Sequence, residues 1–302
     1  MSRERKITLL IPVVIILFFG AYARHKFKDR QIDITGRLQR KDLDEISGIA
    51  ASGINGNLYY IHNDSGDTSR FFSILPSGEI KSTIYYKGDP REAKGVHDCE
   101  DIAVGTGPDE DKSYVYVGDI GDNYSVRPYI TVYRMEEKKQ WNKDSISTGD
   151  AVPIHLKYPD GPKDAETLMI DPVEKLIYIV SKRQDSVTVY TTPLIYKPND
   201  TLTLQKRCRL FFPGYKLFKW ITAGDISKDG KQVLLKSYVK VYYWKREGNE
   251  PIWKTMQHPA WILPYRAEKQ GEAIGFKRDG KGYYTTSEGV YSPIFYYKIP
   301  GG

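Results

Sequence analysis

Apolar and polar positions along the chain alternate in short runs, and one short pattern of this kind occurs five times. In each copy, one position lies two residues before an aliphatic residue. That position holds a polar residue in four of the five copies. The copies are EISGIA (45–50), CEDIAV (99–104), AETLMI (165–170), AGDISK (223–228) and GEAIGF (271–276). The aligned positions are separated by 53, 66, 58 and 48 residues. A period of this length predicts a repeat fold in which each repeat is one supersecondary unit.

Two further runs rich in Val, Ile, Tyr and Thr follow each copy, as expected of pleated strands. The second runs are NLYYIHND (57–64), SYVYVGDIGDN (113–123), KLIYIVSKR (175–183), KQVLLKSY (231–238) and KGYYTTSEG (281–289). The third runs are RFFSILP (70–76), YITVYRM (129–135), SVTVYTT (186–192), KVYYWKR (240–246) and PIFYYKI (293–299). Turn signals such as Asn-Gly and Asp-Gly separate several of them. Each unit therefore predicts an antiparallel propeller blade.

Five such units predict an all-β fold, a five-bladed β-propeller over residues 31–302. The last unit has only three strands, and IDITGRL at 32–38 alternates like a strand. We expect that segment to supply the missing fourth strand and to close the ring. A six-bladed ring is the alternative, but it needs about 50 more residues or shorter blades. The charged stretch at 136–147 is predicted to be a solvated insertion.

An apolar run without charges, residues 7–23, follows three basic residues near the N-terminus. It is close to the lower limit for a transmembrane helix and also resembles a signal peptide. Four basic residues at 24–30 follow at once. We therefore expect residues 1–30 to be an uncleaved signal anchor with a basic juxtamembrane stretch, and the propeller to be extracytoplasmic, in the periplasm or at the cell surface. Cleavage after residue 23 would give a secreted protein instead.

The formal net charge of +7 is compatible with anionic partners of several kinds. No nucleic-acid-binding signature accompanies it, so nucleic acid is not an expected partner. The sequence also lacks a nucleophile elbow, a Walker motif and a paired-His metalloprotease motif. The expected partners are the membrane, through the N-terminal helix, and an anionic small molecule, a glycan or a protein at the mouth of the propeller.

The repeated polar position predicts a cluster at one mouth of the central channel, because the first strand of each blade lines that channel. Gly224 occupies the aligned position in the fourth copy, so nearby Thr222 is taken in its place. The candidate metal ligands are Ser47, Glu100, Glu166, Thr222 and Glu272. Oxygen ligands from several directions suit calcium, and close carboxylates need a cation or protons to neutralise them. Alternatively, these side chains bind backbone N–H groups of the neighbouring blade and lock the ring.

Polar residues at the ends of the second strands should return to the same mouth. Candidate catalytic residues among them are Asp64, Asp119, Glu288, Lys182 and Lys236. The acids would position or deprotonate water, and the lysines, with Arg127, would stabilise negative charge on a phosphorylated substrate. Lys182 and Lys236 each follow an apolar strand at matching depth. The alternatives are turn formation for the acids and ion pairing for the lysines.

The strings EISGIAAS, HNDSGD, CEDIAVG, YVYVGDIGDN, ITVYRM, TAGDISKDGK and GEAIGF together resemble a family of exported bacterial β-propeller proteins that lack an assigned activity. The order of residues in the aligned position is also similar to that of the calcium-activated nucleotidase (apyrase) family. That similarity implies a five-bladed propeller with calcium on its axis, held at Ser47, Glu100, Glu166 and Glu272. The rest of the sequence does not match that family.

Two functions therefore stay open. The first is a membrane-anchored propeller with a central calcium ion that hydrolyses anionic, phosphorylated substrates, which would make it a calcium-dependent phosphoester hydrolase. The second is a non-catalytic binding propeller or scaffold, with calcium as a structural ion and the rim recognising a glycan or a protein. The two differ at the rim, because catalysis needs Lys182 and Lys236 free and directed into the mouth.

Overall fold

The computed structural model describes residues 32–149 and 151–300, which form five β-sheets. The innermost strand of each sheet contacts the innermost strands of both neighbouring sheets, so the five sheets form a complete ring. The fold is therefore an all-β propeller with five blades and not six, as the fivefold repeat predicts. The apolar run at 7–23 lies outside the described residues. Within the described ranges, no helix has the length and apolar character needed to cross a membrane.

Each blade begins with one copy of the repeated pattern. Blade 1 contains β2 (Ile46–Ala51), β3 (Tyr59–Asn63), β4 (Arg70–Ile74), β5 (Ile80–Tyr86) and β9 (Asp144–Thr148). Blade 2 contains β6 (Cys99–Gly105), β7 (Tyr114–Asp119), β8 (Ile130–Glu136), β10 (Val152–Lys157) and β14 (Thr201–Thr203). Blade 3 contains β11 (Ala165–Asp171), β12 (Leu176–Ser181), β13 (Val187–Pro193) and β15 (Gln205–Leu210).

The last two blades have four strands each. Blade 4 contains β16 (Ile221–Ile226), β17 (Gln232–Ser237), β18 (Val241–Lys245) and β19 (Trp261–Leu263). Blade 5 contains β20 (Ala273–Phe276), β21 (Gly282–Thr286), β22 (Pro293–Lys298) and β1 (Ile32–Arg37). The helical segments among the described residues are short: a 3₁₀ turn at Lys139–Asn142, α1 (Lys216–Lys219) and α2 (Ile252–Thr255).

Strand β1 pairs antiparallel with β22, with Ile32 opposite Tyr297 and Arg37 opposite Pro293. It is the outermost strand of blade 5, so the first and last described strands lie side by side. The register places Ile32 at the face of the ring where β20 ends. The described chain therefore enters the propeller on the face opposite the starts of the innermost strands.

The apolar side chains fill the gaps between blades. Each of the five buried clusters combines residues of two neighbouring blades. In β12, for example, Ile177 and Ile179 pack toward blade 2, whereas Tyr178 and Val180 pack toward blade 4. This is the period-2 alternation of a strand buried on both faces. The packing fixes each innermost strand between two neighbours and thereby sets the positions of the residues at its ends.

The charged stretch at 136–147 is not a solvated insertion. Trp141 is only 1% exposed and packs edge-on against Tyr60 and Phe71 of blade 1. The following strand β9 then pairs in parallel with β5, although the chain on either side of it belongs to blade 2. The prediction was wrong because the charged residues surround one buried aromatic residue, Trp141, which holds the segment against blade 1. The segment links two blades.

Candidate functional site

A β-bulge lies near the start of the innermost strand in four blades. The register with the second strand shifts at one residue in each, which leaves that residue unpaired and re-aims its side chain. The bulged residues are Ser47, Glu100, Glu166 and Thr222. In blade 4 the equivalent position is therefore Thr222 and not Gly224, while in blade 5 Glu272 directly precedes β20.

The two hydroxyl residues of this set bond to backbone. Ser47 Oγ donates to the carbonyl oxygen of Glu100 at 2.6 Å, and Thr222 Oγ1 donates to that of Gly271 at 3.5 Å. Each bond joins one blade to the next. Both hydroxyl hydrogens are thereby used inside the ring, which matches the alternative that these side chains lock neighbouring blades together.

The three glutamates of the set are buried at the mouth, with 2–4% of their surface exposed. Glu166 Oε1 accepts a hydrogen bond from Lys182 Nζ, and Glu272 Oε1 accepts one from the Tyr238 hydroxyl at 2.6 Å. Lys182 Nζ also lies 3.7 Å from Glu272 Oε1. The second oxygen of Glu166, Oε2, is buried and has no hydrogen-bond partner within the described residues. An unpaired buried carboxylate oxygen is costly and calls for a ligand or a proton.

Further carboxylates join these glutamates in three groups, in each of which the carboxylate oxygens lie within 4.8 Å of one another. The groups are Asp64 with Asp98 and Glu100, Asp64 with Glu272 and Glu288, and Glu100 with Asp164 and Glu166. Shared members connect the groups. The mouth is therefore one continuous acidic cluster in which oxygens approach from several blades.

Asp98 and Asp164 also belong to the cluster, although the repeated pattern does not include them. Each stands two residues before a predicted ligand, in Asp98-Cys99-Glu100 and Asp164-Ala165-Glu166. The repeated D-x-E spacing was a signal that could have found them. Since side chains two apart on an extended chain point to the same side, both acids of each pair reach the same mouth.

Burial dominates the protonation of this cluster. It raises the pKa of Glu100 and Glu166 well above the usual range, and neighbouring carboxylates add to the effect. Burial and the charge of Asp98 raise the pKa of Asp64 to about 8. Burial and Glu272 raise the pKa of Glu288 to about 7. Without a bound cation, the acids of this cluster therefore share protons among themselves at neutral pH.

Asp119 and Arg127 pair with each other and stabilise the segment next to the acidic cluster. Asp119 accepts hydrogen bonds from the backbone N–H groups of His97 and Asp98, at 3.1 and 3.0 Å. Its Oδ1 also forms an ion pair of 2.8 Å with Arg127. These contacts hold the segment that carries Asp98. Asp119 acts here as a turn and loop anchor.

The two predicted lysines differ in depth and in partners. Lys236 lies inside β17, opposite Ala223. The residue equivalent to Lys236 in blade 3 is Val180. Lys182 lies two residues further along its own blade, so the expectation of matching depth is wrong. The bulges of the two blades align Ser181 with Ser237, and Lys182 follows that position whereas Lys236 precedes it.

Lys182 is an internal counter-ion of the acidic cluster. Burial alone would lower the pKa of Lys182, but the charges of Glu166 and Glu272 raise it above the usual range. Lys236 is fully buried, donates to the carbonyl oxygen of Gly271 and lies 4.9 Å from the ring centre of Tyr265. Burial lowers its pKa to about 8. Among the described residues it has no carboxylate within ion-pair distance, and it does not reach the mouth as a free cation.

Two aspartates deeper in the channel lock the blades. Asp101 Oδ2 accepts a hydrogen bond from the backbone N–H of Leu168 at 2.9 Å, across the gap between blades 2 and 3. Asp225 Oδ2 accepts one from Phe276 at 2.8 Å, between blades 4 and 5. The carboxylate-to-backbone lock proposed for the glutamates is thus formed by aspartates that follow the bulge.

No protein-family model matches the chain, and no curated protein matches it. The similarities to exported propeller proteins and to apyrases therefore rest on the motifs alone and stay predictions. What the described structure provides is the propeller and its acidic mouth.

Proposed function

We propose that the acidic mouth binds calcium and that the protein is a calcium-binding propeller. One observation carries the proposal: the buried Oε2 of Glu166 has no hydrogen-bond partner among the described residues and belongs to a group with Glu100 and Asp164 whose carboxylate oxygens are within 4.8 Å of one another. Calcium binds six to eight oxygen ligands in a flexible geometry, which suits carboxylates that approach from several blades.

The best ligands are the carboxylates that the protein does not already neutralise. Among the described residues, the Asp98 carboxylate accepts only a long hydrogen bond of 3.3 Å from the Asn123 amide. Asp64 accepts a bond from the N–H of Ser65, and the Glu100 carboxylate accepts none from the described residues. Calcium would therefore be held by Glu100 and by Oε2 of Glu166, with Asp64 and Asp98 completing the site. Ser47 and Thr222, whose hydroxyls bond to backbone, would support the site rather than bind the ion.

Lys182 would tune the affinity of the same site. Its ammonium group lies between Glu166 and Glu272 and already compensates part of the negative charge. A cation bound next to it feels repulsion from the ammonium as well as attraction from the acids. This arrangement predicts a calcium affinity below that of a site with the same carboxylates alone.

We also propose that the propeller is extracytoplasmic and anchored by residues 7–23. The support is the length and apolar character of that segment together with the basic residues at 24–30. Extracytoplasmic calcium is abundant enough for weak sites to be filled, so the compartment and the proposed ion are compatible.

Thermal unfolding with calcium and with a chelator tests the proposal. An ion that binds only the folded state raises the melting temperature by mass action. We expect calcium to raise the melting temperature of the wild type and to have little effect on Glu166→Gln. The matched control is Glu137→Gln, because Glu137 is a buried glutamate that binds Ser52 and Tyr60 away from the mouth. That variant should lose stability and keep the calcium effect. No calcium effect in the wild type would refute the proposal.

Hydrolysis of a phosphoester is a second candidate, favoured by the pKa of Glu288. An acid with a pKa of about 7 next to a cation site can accept and return a proton at neutral pH. Catalysis assisted by free rim lysines does not apply here, since Lys182 is ion-paired and Lys236 is buried below the mouth, so this candidate would depend on the cation and Glu288 alone. A screen of phosphoesters and nucleotides with calcium tests this candidate. Activity that Glu288→Gln abolishes would support it, and the absence of turnover in the wild type would eliminate it.

A further inference from the structure

The other end of the central channel opens into a cavity of about 340 Å³. The turns between the first and second strands of the blades surround it, and Asp225 lies in its lining. Burial raises the pKa of Asp225 to about 7, although the hydrogen bond from the backbone N–H of Phe276 favours the charged form, so its negative charge is partly suppressed at neutral pH. The floor of this cavity is therefore far less acidic than the opposite mouth.

Four basic side chains belong to the lining, from three blades: Lys112, Lys228, Lys277 and Arg278. Two of them are neutralised locally, Lys277 by Asp279 at 2.6 Å and Lys112 by Glu136 at 3.0 Å. The acids of the lining other than Asp225 are Glu110 and Asp111, and Glu110 pairs with Lys175.

The remaining two cations have no carboxylate partner within ion-pair distance among the described residues. Lys228 Nζ donates only to the carbonyl oxygen of Gly53 at 3.2 Å, and Arg278 makes no hydrogen bond to a described residue. The two cations line the same cavity, and burial and the charge of Arg278 lower the pKa of Lys228, against a smaller raising effect of Glu137. Like charges held together at a cavity create a favourable position for an anion.

We propose that this cavity binds a phosphate group, with Lys228 and Arg278 as its charged donors. An arginine fork and a lysine ammonium are the usual side chains for phosphate recognition. The cavity volume is large enough for a phosphate with a small attached group. This site is independent of the calcium proposal, since it lies at the opposite end of the channel.

The entry of the chain bears on the source of the phosphate. Ile32 lies on the same face as this cavity, because β1 runs from the end of β22 toward its start. The sequence immediately before it, 24–30, contains four Lys or Arg residues. A phospholipid headgroup and free phosphate share the required chemistry, and an anchor at residues 7–23 would bring this face toward the former.

The test uses the full-length protein in detergent, with a chelator present so that calcium at the acidic mouth cannot recruit phosphate. One arm titrates inorganic phosphate, and the other adds mixed micelles that contain phosphatidate or only phosphatidylcholine. The variant is Lys228→Gln combined with Arg278→Gln. The control is Lys41→Gln combined with Lys216→Gln, which removes the same charge from exposed residues near the acidic face.

We expect the first double variant to bind phosphate, or phosphatidate micelles, about tenfold or more weakly than the wild type, and the control to bind within about twofold. A preference for phosphatidate micelles over inorganic phosphate would assign the lipid as the source, and the reverse would assign the free anion. The absence of binding in both arms, or an equal loss in both double variants, would overturn the proposal. Melting temperatures of the two variants verify that both are folded.

Discussion

Glu100 and Asp101 are neighbours on one strand, yet their carboxylates have opposite surroundings. Asp101 is fully buried and accepts hydrogen bonds from the backbone N–H groups of Ile102 and Leu168. Glu100 lies at the mouth, faces other carboxylates and accepts no hydrogen bond from a described residue. An acid whose oxygens meet N–H groups holds the ring together, whereas one whose oxygens meet other acids is available to a cation.

The largest loss of stability is expected when Asp101, whose carboxylate joins two blades, is replaced. Asp101→Ala leaves backbone N–H groups of two strands without a partner, at about 1–3 kcal/mol each. We expect the free energy of unfolding to fall by about 3 kcal/mol in chemical denaturation, with the calcium-induced shift retained. Asp109→Ala, at an exposed turn, should change stability by less than about 0.5 kcal/mol. If folded Asp101→Ala lost the calcium-induced shift in melting temperature, Asp101 would contribute to calcium binding as Glu100 does, and the proposed difference between the two acids would be wrong.

The lysines offer a paired comparison at the acidic mouth. Lys182→Met removes the ammonium between Glu166 and Glu272, so calcium should bind about tenfold more tightly. Lys236→Met removes a buried cation without a carboxylate partner among the described residues, and we expect the calcium affinity to stay within about threefold. Calcium titration of both variants measures the difference. Equal affinities in the two variants would contradict the role of Lys182 as a competing cation.

The pH dependence of stability should reveal the unneutralised acids. The pKa of Asp64 is raised from 3.8 to about 8, so the folded state holds a proton that the unfolded chain has lost. Stability in chelator should therefore fall as pH rises from about 4 to about 8 and level off above that. Because Asp64 is only half-buried, we expect about 1 kcal/mol from this residue.

Melting temperatures between pH 5 and 8, with chelator and with calcium, measure this slope. Calcium should flatten it, and Asp64→Asn should reduce it without calcium. The control is Asp160→Asn, which should leave the slope unchanged. Burial raises the pKa of Asp160, but hydrogen bonds from Lys206 and Tyr190 outweigh it and lower that pKa. A stability that rises over this range in chelator would rule out the proposed charge state.

The smallest effect is expected at Ser47. Its hydroxyl donates to the backbone of Glu100, and the loss of one such hydrogen bond costs about 1 kcal/mol. Ser47→Ala should therefore lower stability slightly and leave calcium binding unchanged. A strong loss of calcium affinity would instead make Ser47 a ligand, as the similarity to the apyrases implies.

The fivefold motif was sufficient to predict the blades, because each copy and its two following runs carry the alternation of buried strands. It could not show that Trp141 draws a charged segment into blade 1, since that contact depends on a partner from another blade. At the mouth the motif identified Glu100, Glu166 and Glu272. The hydrogen bonds of Ser47 and Thr222, and the position of Lys182 between two acids, follow from the bulges and the ring closure and have no local signature.

Direct calcium titration of the full-length wild type and of Glu100→Gln, by calorimetry at pH 7.5, tests the central claim, that the mouth acids are ligands. We expect saturable calcium binding by the wild type and an affinity lower by about tenfold or more in Glu100→Gln. Folded wild-type protein that binds no calcium, or a Glu100→Gln variant that binds it as tightly as the wild type, would show that the mouth acids are not calcium ligands.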